Sequence, residues 1–279
     1  MDMSEELIIT SKQNPRVKKV SALSDKKERE ATGLFRFDGI KLLCEAIQKG
    51  IEIDSVYIRD TSFSDISARL GDVLYNIDEE KIFRVSDSVF EKLSAEKSPE
   101  GIITVAKYID KIRKIVKIEN AALPKQTECV FIAESLQDPG NLGTVIRSAA
   151  ALGIDRIVIS SDCADVYNPK TVRAAMGSLF YLNIDRVDKD IFCDYIRALR
   201  ETGRRVFAAA LDDNAVSLDT LKLRAGDCFL VGNEGHGLTS DAIAASDASV
   251  IIPMRAEVES LNAAAASVIL MWEMKKTLG

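Results

Sequence analysis

Apolar and polar positions alternate along this chain in short units that predict strands and helices in turn. The segment GIKLLCEAIQKG has apolar residues at helical spacing, which predicts a helix that ends near Gly50. The segments DSVYIRD (54–60) and GIITVAKY (101–108) are rich in β-branched and aromatic residues and predict strands. Together these elements predict a small α/β domain over residues 1–110.

The sequence changes character after Asp110. Residues 111–127 are mostly polar and end in LPKQT, so we interpret them as a linker between two domains. A chain of 279 residues is long enough for two cores, which agrees with a second domain over residues 128–279.

Five apolar segments of the second domain predict strands, and helical patterns separate them. Strands that alternate with helices form parallel sheets covered on both faces, so we predict an α/β domain with a parallel sheet. The strand segments are CVFIAE, DRIVIS, RVFAAAL, DCFLVG and ASVIIPM, and the helical segments begin near Leu142, Pro169, Lys189, Thr239 and Leu261.

Three segments of unusual composition directly follow predicted strands of this domain. They are ESLQDPGNLGTVIR, GNEGHGL and PMRAEVESLN. Because ligands bind at the carboxyl ends of strands in parallel sheets, the three segments predict a ligand site at one edge of the sheet.

The glycine loop GNEGHG lacks both the GxGxxG pattern of dinucleotide sites and the Lys-Ser/Thr of a phosphate loop. Glu234 would also repel a pyrophosphate. Glycines at 232, 235 and 237 permit positive φ and close backbone approach, which favours a nucleoside held by main-chain groups. A tight strand-to-helix turn without a ligand is the alternative interpretation.

The other two segments carry polar side chains at predicted helix starts. Asn141 follows a turn-forming Asp-Pro-Gly and is a candidate N-cap, and Arg147 borders the apolar side of the helix behind it. Such an arginine is either an anchor to an acidic neighbour or a phosphate ligand. Ser260 is a candidate N-cap of an alanine-rich helix, which is either packed very closely by another element or an ordinary core or dimer helix.

Charge is distributed unevenly. The chain carries a formal net charge of −6, yet residues 11–41 hold nine Lys or Arg against four Asp or Glu. A solvated helix face and a surface that contacts phosphates both explain this stretch. Lys12, Arg16, Lys18, Lys19 and Arg36 are the candidate phosphate contacts, and they are the candidate RNA-binding residues if the partner is RNA.

Several functional classes are disfavoured by composition. No apolar run reaches the roughly 18 residues of a membrane span, and the acidic start is unlike a signal peptide, so we expect a cytoplasmic protein. Five cysteines without a CxxC pair and a single histidine predict buried thiols and no metal site. A hydrolase that pairs His236 with Ser260 lacks the GxSxG elbow.

The segments NLGTVIR, LVGNEGHGL and IIPMRAEVESLNAAAA, in this order and spacing, resemble the three motifs of the SpoU/TrmH family of RNA ribose 2′-O-methyltransferases in the SPOUT superfamily. The resemblance runs from Cys129 to the C-terminus. The upstream segment FRFDGIKLLCEAIQKGIEIDSVYI is similar to the L30e-like RNA-binding domain that precedes the catalytic domain in many members. Ala256 stands where many relatives have glycine.

The resemblance implies a C-terminal trefoil knot, a homodimer with the active site at the subunit interface, and S-adenosylmethionine as cofactor. The positions that match cofactor contacts are Leu211, Gly232, Ile252, Met254 and Leu261, and those that match catalysis and RNA placement are Asn141, Arg147, Glu234, Ser260 and Asn262.

Because a guanidinium stays protonated, our hypothesis is that Arg147 binds a phosphate and the reacting hydroxyl instead of acting as a base. We assign to Glu234 the ordering of the glycine loop and of Arg147. An L30e-like domain favours structured RNA, and ribosomal RNA, 23S in particular, over transfer RNA. The alternatives are a transfer RNA 2′-O-methyltransferase, a SPOUT member that methylates a base, and a non-catalytic RNA-binding SPOUT protein.

Overall fold

The computed structural model describes residues 8–94, 98–212, 214–255, 257 and 260–277. Ala256, whose departure from the family pattern was noted above, lies outside them. The chain divides into two compact units. The first consists of Met1–Ile109 and Tyr167–Phe180, and the second of Asp110–Val166 and Tyr181–Gly279. None of the described helices has both the length and the apolarity that crossing a membrane requires.

The first unit is built on a four-stranded sheet. Its strands are β1 (Leu34–Asp38), β2 (Ile53–Arg59), β3 (Ile82–Val85) and β4 (Ile102–Lys107), and its helices are α1 (Pro15–Ala22), α2 (Lys26–Thr32), α3 (Ile40–Gln48), α4 (Phe63–Leu70) and α5 (Asp87–Leu93). The strand order is β1-β4-β2-β3, in which β4 is antiparallel to β1 and β2, and β3 is parallel to β2. The predicted helix and both predicted strands are present as α3, β2 and β4, and Gly50 follows α3 with φ of +70°.

Residues 167–180 also belong to the first unit, although the sequence prediction placed them in the second domain. Helix α7 (Pro169–Ala175) packs against β1. The ring of Tyr167 stacks on Tyr108 with 3.9 Å between centroids, and its hydroxyl accepts a hydrogen bond of 2.8 Å from the Ile109 N–H. Helical periodicity predicted α7 correctly, but periodicity does not say which core a helix covers.

The second unit contains an eight-stranded sheet. Its strands are β5 (Ile112–Ile115), β6 (Val130–Ala133), β7 (Arg156–Ser160), β8 (Asn183–Val187), β9 (Val206–Ala209), β10 (Val216–Ser217), β11 (Cys228–Val231) and β12 (Ala248–Ile251), and its helices are α6 (Pro139–Leu152), α8 (Phe192–Glu201), α9 (Ser240–Ala245) and α10 (Ala263–Lys275). The strand order is β10-β12-β9-β11-β6-β7-β8-β5, and every pair is parallel. The predicted α/β fold with a parallel sheet is therefore confirmed, and the trefoil knot stays a prediction.

Strand β5 lies inside residues 111–127, which were predicted to be a linker, so that prediction is wrong for Ile112–Ile115. The strand is attached by a buried ionic cluster. Arg113 forms two hydrogen bonds of 2.8 Å with the carboxylate of Asp185 on β8, and Arg156 on β7 binds the same carboxylate at 3.0 Å. Asp185 is fully buried and also accepts a hydrogen bond of 3.2 Å from the Tyr195 hydroxyl. Burial and this carboxylate raise the pKa of Tyr195.

Two helix starts differ from the predicted ones. Helix α6 begins at Pro139, and its N-cap is Asp138, whose carboxylate accepts the Asn141 N–H at 2.7 Å. A proline fits the first helical turn because its missing N–H would have no partner there, which moves the cap to the residue before it. Helix α10 begins at Ala263, and Asn262 is its N-cap in place of Ser260.

All five cysteines are free, and Cys129, Cys163 and Cys228 are buried, as the sequence predicted for most of them. Burial raises the pKa of Cys129 to about 12 and that of Cys163 to about 11. The buried thiols therefore behave as small apolar side chains rather than as nucleophiles.

Candidate functional site

A cavity of about 420 Å³ lies where strands β9, β11 and β12 end. The segments that follow these strands form its walls, together with the start of α10. The strand ends thus converge at one edge of the sheet, as in other parallel sheets. All five residues that were predicted to contact the cofactor line the cavity, namely Leu211, Gly232, Ile252, Met254 and Leu261.

The glycine loop, residues 232–238, forms part of the cavity wall and folds back on itself. Asn233 and Gly237 exchange two backbone hydrogen bonds of 2.9 and 3.0 Å. A Cβ atom on Gly232 would lie 2.3 to 2.5 Å from backbone atoms of Gly237 and Leu238, so only glycine fits there. Gly237 requires glycine for another reason, since its φ is +70°. Gly235 meets neither condition, because its φ is ordinary and its nearest neighbour is 3.6 Å away.

Both ends of the glycine loop are anchored to the end of β6. The Asn233 side-chain amide donates a hydrogen bond of 2.8 Å to the carbonyl of Ser135, which itself has a φ of +51°. At the other end, the buried carboxylate of Glu134 accepts hydrogen bonds from the N–H and the hydroxyl of Thr239 at 2.8 and 2.7 Å. Sequence reasoning missed these anchors, although Glu134 and Ser135 begin a segment that it had singled out.

Three of the predicted catalytic residues form one chain of hydrogen bonds. The Asn262 amide donates to Asn141 Oδ1 at 3.1 Å, and the Asn141 amide donates to Glu234 Oε1 at 3.0 Å. The Glu234 carboxylate also accepts the backbone N–H groups of Gln137 and Asp138 at 3.2 and 3.0 Å. Burial by itself would raise the pKa of Glu234, but the Asn141 amide and the backbone N–H groups outweigh it, so this pKa lies below its ordinary value.

The other two predicted catalytic residues occupy different places. Ser260 lines the cavity. Arg147 is exposed on the outer side of α6, and it neither lines the cavity nor forms a hydrogen bond or ion pair with any residue that the structure describes. Glu234 therefore orders the glycine loop and the start of α6, but the predicted ordering of Arg147 by Glu234 is absent from the described contacts.

The hydrolase alternative is not supported by this geometry. His236 is exposed in the wall of the cavity, and its backbone N–H donates to Asn233 Oδ1 at 3.1 Å. Within the described part of the chain, no hydrogen bond connects its ring to Ser260, so a nucleophile and base pair is not formed. No group of three or more His, Cys, Asp or Glu suited to a metal ion occurs among the described residues.

Four of the five predicted RNA-binding residues are exposed on the first unit. Lys12, Arg16, Lys18 and Lys19 lie on α1 or just before it. Arg36 is the exception, because it is buried within β1 and its guanidinium donates to the carbonyl of Leu93 and the hydroxyl of Ser24. Burial lowers the pKa of the Arg36 guanidinium. Because the side chain is closed to solvent, its predicted RNA contact is wrong, and Arg36 has a structural role.

The chemistry of the cavity wall indicates what kind of ligand fits it. Its volume is within the range of sites for small molecules and cofactors. Leu211 is 74% exposed and Met254 and Leu261 are more than a third exposed, so the wall presents several large apolar side chains together to solvent. The described lining residues include the acidic residue Glu234 but no lysine or arginine. An amphipathic ligand with positive charge suits this wall better than a phosphate does.

Family models of known proteins match both parts of the chain. Residues 128–272 match the model of the SpoU rRNA Methylase family, and residues 14–104 match that of the MRM3-like substrate binding domain.

Individual proteins are similar over nearly the whole chain. The 23S rRNA (guanosine(2553)-2′-O)-methyltransferase RlmP of Bacillus subtilis is 28% identical over 267 residues, which cover 96% of this chain and 98% of that protein. The 23S rRNA (uridine(2479)-2′-O)-methyltransferase of Streptomyces viridochromogenes is 27% identical over 90% of this chain and 85% of its own length. The crystal structure of an rRNA methyltransferase from Sinorhizobium meliloti has a TM-score of 0.81 and 28% identity over 97% of this chain and 98% of that one, and so does its AdoMet-bound form.

Proposed function

The chain belongs to the SpoU rRNA Methylase family, and on this premise we propose that it methylates a ribose 2′-hydroxyl of 23S ribosomal RNA. It is an RNA 2′-O-methyltransferase that depends on S-adenosylmethionine. The observation that carries the proposal is the cavity in which all five predicted cofactor residues meet Glu234 and Ser260. The 23S target is supported by the similarity, over almost the full length, to relatives named for that RNA.

The cavity residues would hold S-adenosylmethionine, which supplies an electrophilic methyl group on a sulfonium when bound. Gly232 lets the two arms of the glycine loop pack against each other, and the backbone groups that this packing leaves in the cavity wall would bind the nucleoside part. The apolar side chains Leu211, Met254 and Leu261 would cover its rings. Hydrogen bonds from the Asn141 amide and the Asp138 N–H hold Glu234, and with it the glycine loop, in the position that shapes the cavity.

Arg147 acts in this proposal on the RNA side of the reaction. The attacking hydroxyl must be oriented and relieved of its proton, and a guanidinium near it lowers the cost of the developing oxyanion. Arg147 is exposed and unengaged among the described residues, so it is available to bind a phosphate and the hydroxyl together. A guanidinium remains charged at neutral pH, which argues against its acting as a free base.

The active form is proposed to be a homodimer joined through the outer faces of α6 and α10. Ile269 and Trp272 are 36% and 52% exposed and, with Ala265, form an apolar stripe along α10. Arg147 lies on the exposed side of the neighbouring α6. A second copy docked here would cover the stripe and bring Arg147 of one protomer to the cavity of its partner.

The first unit is proposed to bind the substrate RNA. Its residues 14–104 match the substrate binding model, and Lys12, Arg16, Lys18 and Lys19 give it an exposed basic surface on a chain that is acidic overall. We propose that the protein acts in the cytoplasm, because 23S RNA of bacterial ribosomes is its proposed substrate.

The test is transfer of labelled methyl from S-adenosylmethionine to unmodified total bacterial RNA that is then separated by size. We expect label in 23S RNA as an alkali-resistant dinucleotide, and its loss in Arg147→Ala. Arg197→Ala removes an arginine that is also exposed, on α8, and should methylate normally. Label in transfer RNA would overturn the 23S target, and absence of label from all RNA despite cofactor binding would favour a non-catalytic RNA-binding protein.

A further inference from the structure

A second cavity, of about 230 Å³, lies within the first unit between α1 and strands β2 and β3. It is smaller than sites for drug-sized ligands and has room for one planar ring system. Its walls are mixed in chemistry, with aromatic, cationic and acidic side chains. The lining residues used below are Arg16, Lys19, Asp54, Tyr57, Lys81 and Phe83.

The aromatic part of the wall offers a stacking surface. The rings of Tyr57 and Phe83 lie 5.3 Å apart, and Phe83 is only partly buried. The guanidinium of Arg16 lies over the Phe83 ring at 4.4 Å from its centroid. Arg16 is exposed on the first turn of α1, so its side chain is free to move off the ring. Unstacked RNA bases bind between such partners, with an aromatic ring on one face and an arginine on the other.

The polar part of the wall presents donors and acceptors together. Lys19 and Lys81 supply ammonium donors. Asp54 accepts the Ser55 hydroxyl at 3.0 Å through Oδ2, whereas its Oδ1 receives no hydrogen bond from the residues that the structure describes. Guanine matches this combination, because O6 and N7 accept from cations and its N1–H and N2–H groups donate to a carboxylate. Adenine and the pyrimidines lack that pair of adjacent donors.

We propose that this cavity binds one unstacked guanine of the substrate RNA, stacked between Phe83 and Arg16 and hydrogen-bonded to Asp54. The proposal rests on the RNA substrate stated under the proposed function. It gives the first unit a base-specific contact in addition to its basic surface, so the position of this guanine relative to the methylated ribose contributes to choosing the target nucleotide.

The experiment measures binding of two labelled RNA heptamers, UUUGUUU and UUUAUUU, to the full-length protein by fluorescence anisotropy at low salt. The wild type should bind the guanine heptamer more tightly. Phe83→Leu should weaken that binding by about fivefold or more, since one base stack is lost. The matched control is Tyr75→Leu, which removes an aromatic ring that is 70% exposed on the same unit and does not line the cavity.

Two further variants keep the test decisive if Phe83→Leu unfolds the protein. Arg16→Ala changes an exposed residue and should weaken binding of the guanine heptamer by a similar factor. Asp54→Asn should remove the preference for guanine over adenine while the adenine heptamer binds as before. Thermal unfolding of each variant establishes that the first unit is intact.

Equal affinity of the wild type for the two heptamers overturns the proposal, as does unchanged binding in both Phe83→Leu and Arg16→Ala. Methyl transfer to ribosomal RNA, assayed on the same wild-type sample, separates this failure from a failure of the proposed function. If ribosomal RNA is methylated but the two heptamers bind with equal affinity, the proposed guanine site is ruled out and the proposed function stands. If the guanine preference is present without methyl transfer, the site stands and the proposed 23S reaction does not.

Discussion

Asn262 donates its side-chain amide to Asn141 Oδ1 at 3.1 Å, although 121 positions separate the two residues in the chain. Asn262 also caps α10, since its Oδ1 accepts the N–H groups of Ala264 and Ala265. The cap fixes the orientation of the amide, and the amide then holds Asn141, which holds Glu234 in the glycine loop. The starts of two helices and the glycine loop are therefore positioned by one chain of hydrogen bonds.

The two roles of Asn262 can be separated by substitution. Asn262→Asp keeps an oxygen that caps α10 but loses the donor to Asn141, so we expect kcat/KM for methyl transfer to fall about tenfold while the free energy of unfolding changes by less than about 0.5 kcal/mol. Asn262→Ala loses the cap as well and should cost about 1 kcal/mol. Urea unfolding and methyl transfer check both quantities. Wild-type kcat/KM in both variants would show that the chain of hydrogen bonds has no part in the reaction.

Gly232 and Gly235 differ in what a methyl group would meet. Gly232→Ala places a Cβ atom within 2.5 Å of the backbone of Gly237, so the loop must open, and we expect affinity for S-adenosylmethionine to fall at least tenfold. Gly235→Ala is the matched control, because its Cβ meets no atom closer than 3.6 Å. Isothermal titration calorimetry measures both affinities. Similar losses of affinity in the two variants would show that close packing of the loop backbone at position 232 is not what requires glycine there.

Glu234 should make stability depend on pH on the acid side. Its pKa in the folded protein is lowered, so its ionised form adds stability above the ordinary carboxyl pKa of 4.5, and that stability is lost as the pH falls through the lowered value. We expect the unfolding free energy of wild type to exceed that of Glu234→Gln at pH 7 and the difference to shrink below pH 4.5. Urea unfolding over this pH range measures the difference. A difference that stays constant would show that the carboxylate charge is not what the loop amides stabilise.

Asp185 should matter far more for stability than an exposed carboxylate. Asp185→Asn leaves Arg113 and Arg156 without their shared buried anion, which costs roughly 3 kcal/mol or more. Asp194→Asn removes the exposed ion pair with Arg197 and should cost less than about 1 kcal/mol. Urea unfolding measures the free energy of unfolding of both variants. Equal losses of that free energy would mean that the buried cluster stabilises the protein little more than a surface ion pair does.

The proposed interface between two copies predicts activity from two inactive variants. If Arg147 serves the cavity of its partner, a mixture of Arg147→Ala and Gly232→Ala contains heterodimers with one intact cavity facing one intact arginine. At an S-adenosylmethionine concentration well below the Kd of Gly232→Ala, each variant alone should have little activity. Mixing after exchange of subunits should restore up to about a quarter of wild-type methyl transfer, since half the dimers are mixed and each has one working site. If each site uses its own Arg147, mixing restores nothing.

Glycine spacing, helical periodicity and apolar strand segments predicted the parts of this protein that depend on local sequence. They located α3, the parallel sheet and the cavity at its edge. Family motifs then named five of the residues that line the cavity, which periodicity by itself would not have found. Helix starts were less accurate, because Asp138 and Asn141 are both good caps and the proline between them decides which is used.

The features that sequence missed depend on partners far away in the chain. Arg113 lies in a polar segment whose pattern does not predict a strand. Its charge is compensated within the sheet by Asp185, which lies 72 positions later in the chain. Arg36 belongs to a basic stretch. Nothing in the neighbouring sequence shows that its guanidinium is buried and donates a hydrogen bond to the carbonyl of Leu93. Charge patterns predict solvent exposure on average, and they fail where a distant acceptor compensates for burial.

The membership of residues 167–180 in the first unit sets an order of events during synthesis. Residues 1–109 leave the ribosome before Tyr167 does, so the rings of Phe35 and Tyr108 remain without this partner until three strands of the second unit have also been made. Translation that stops before Tyr167 therefore releases a first unit with exposed aromatic surface, the kind of surface that recruits chaperones or aggregates. Cutting the gene at residue 110 to express that unit alone would have the same defect, and a fragment that appends residues 167–180 would correct it.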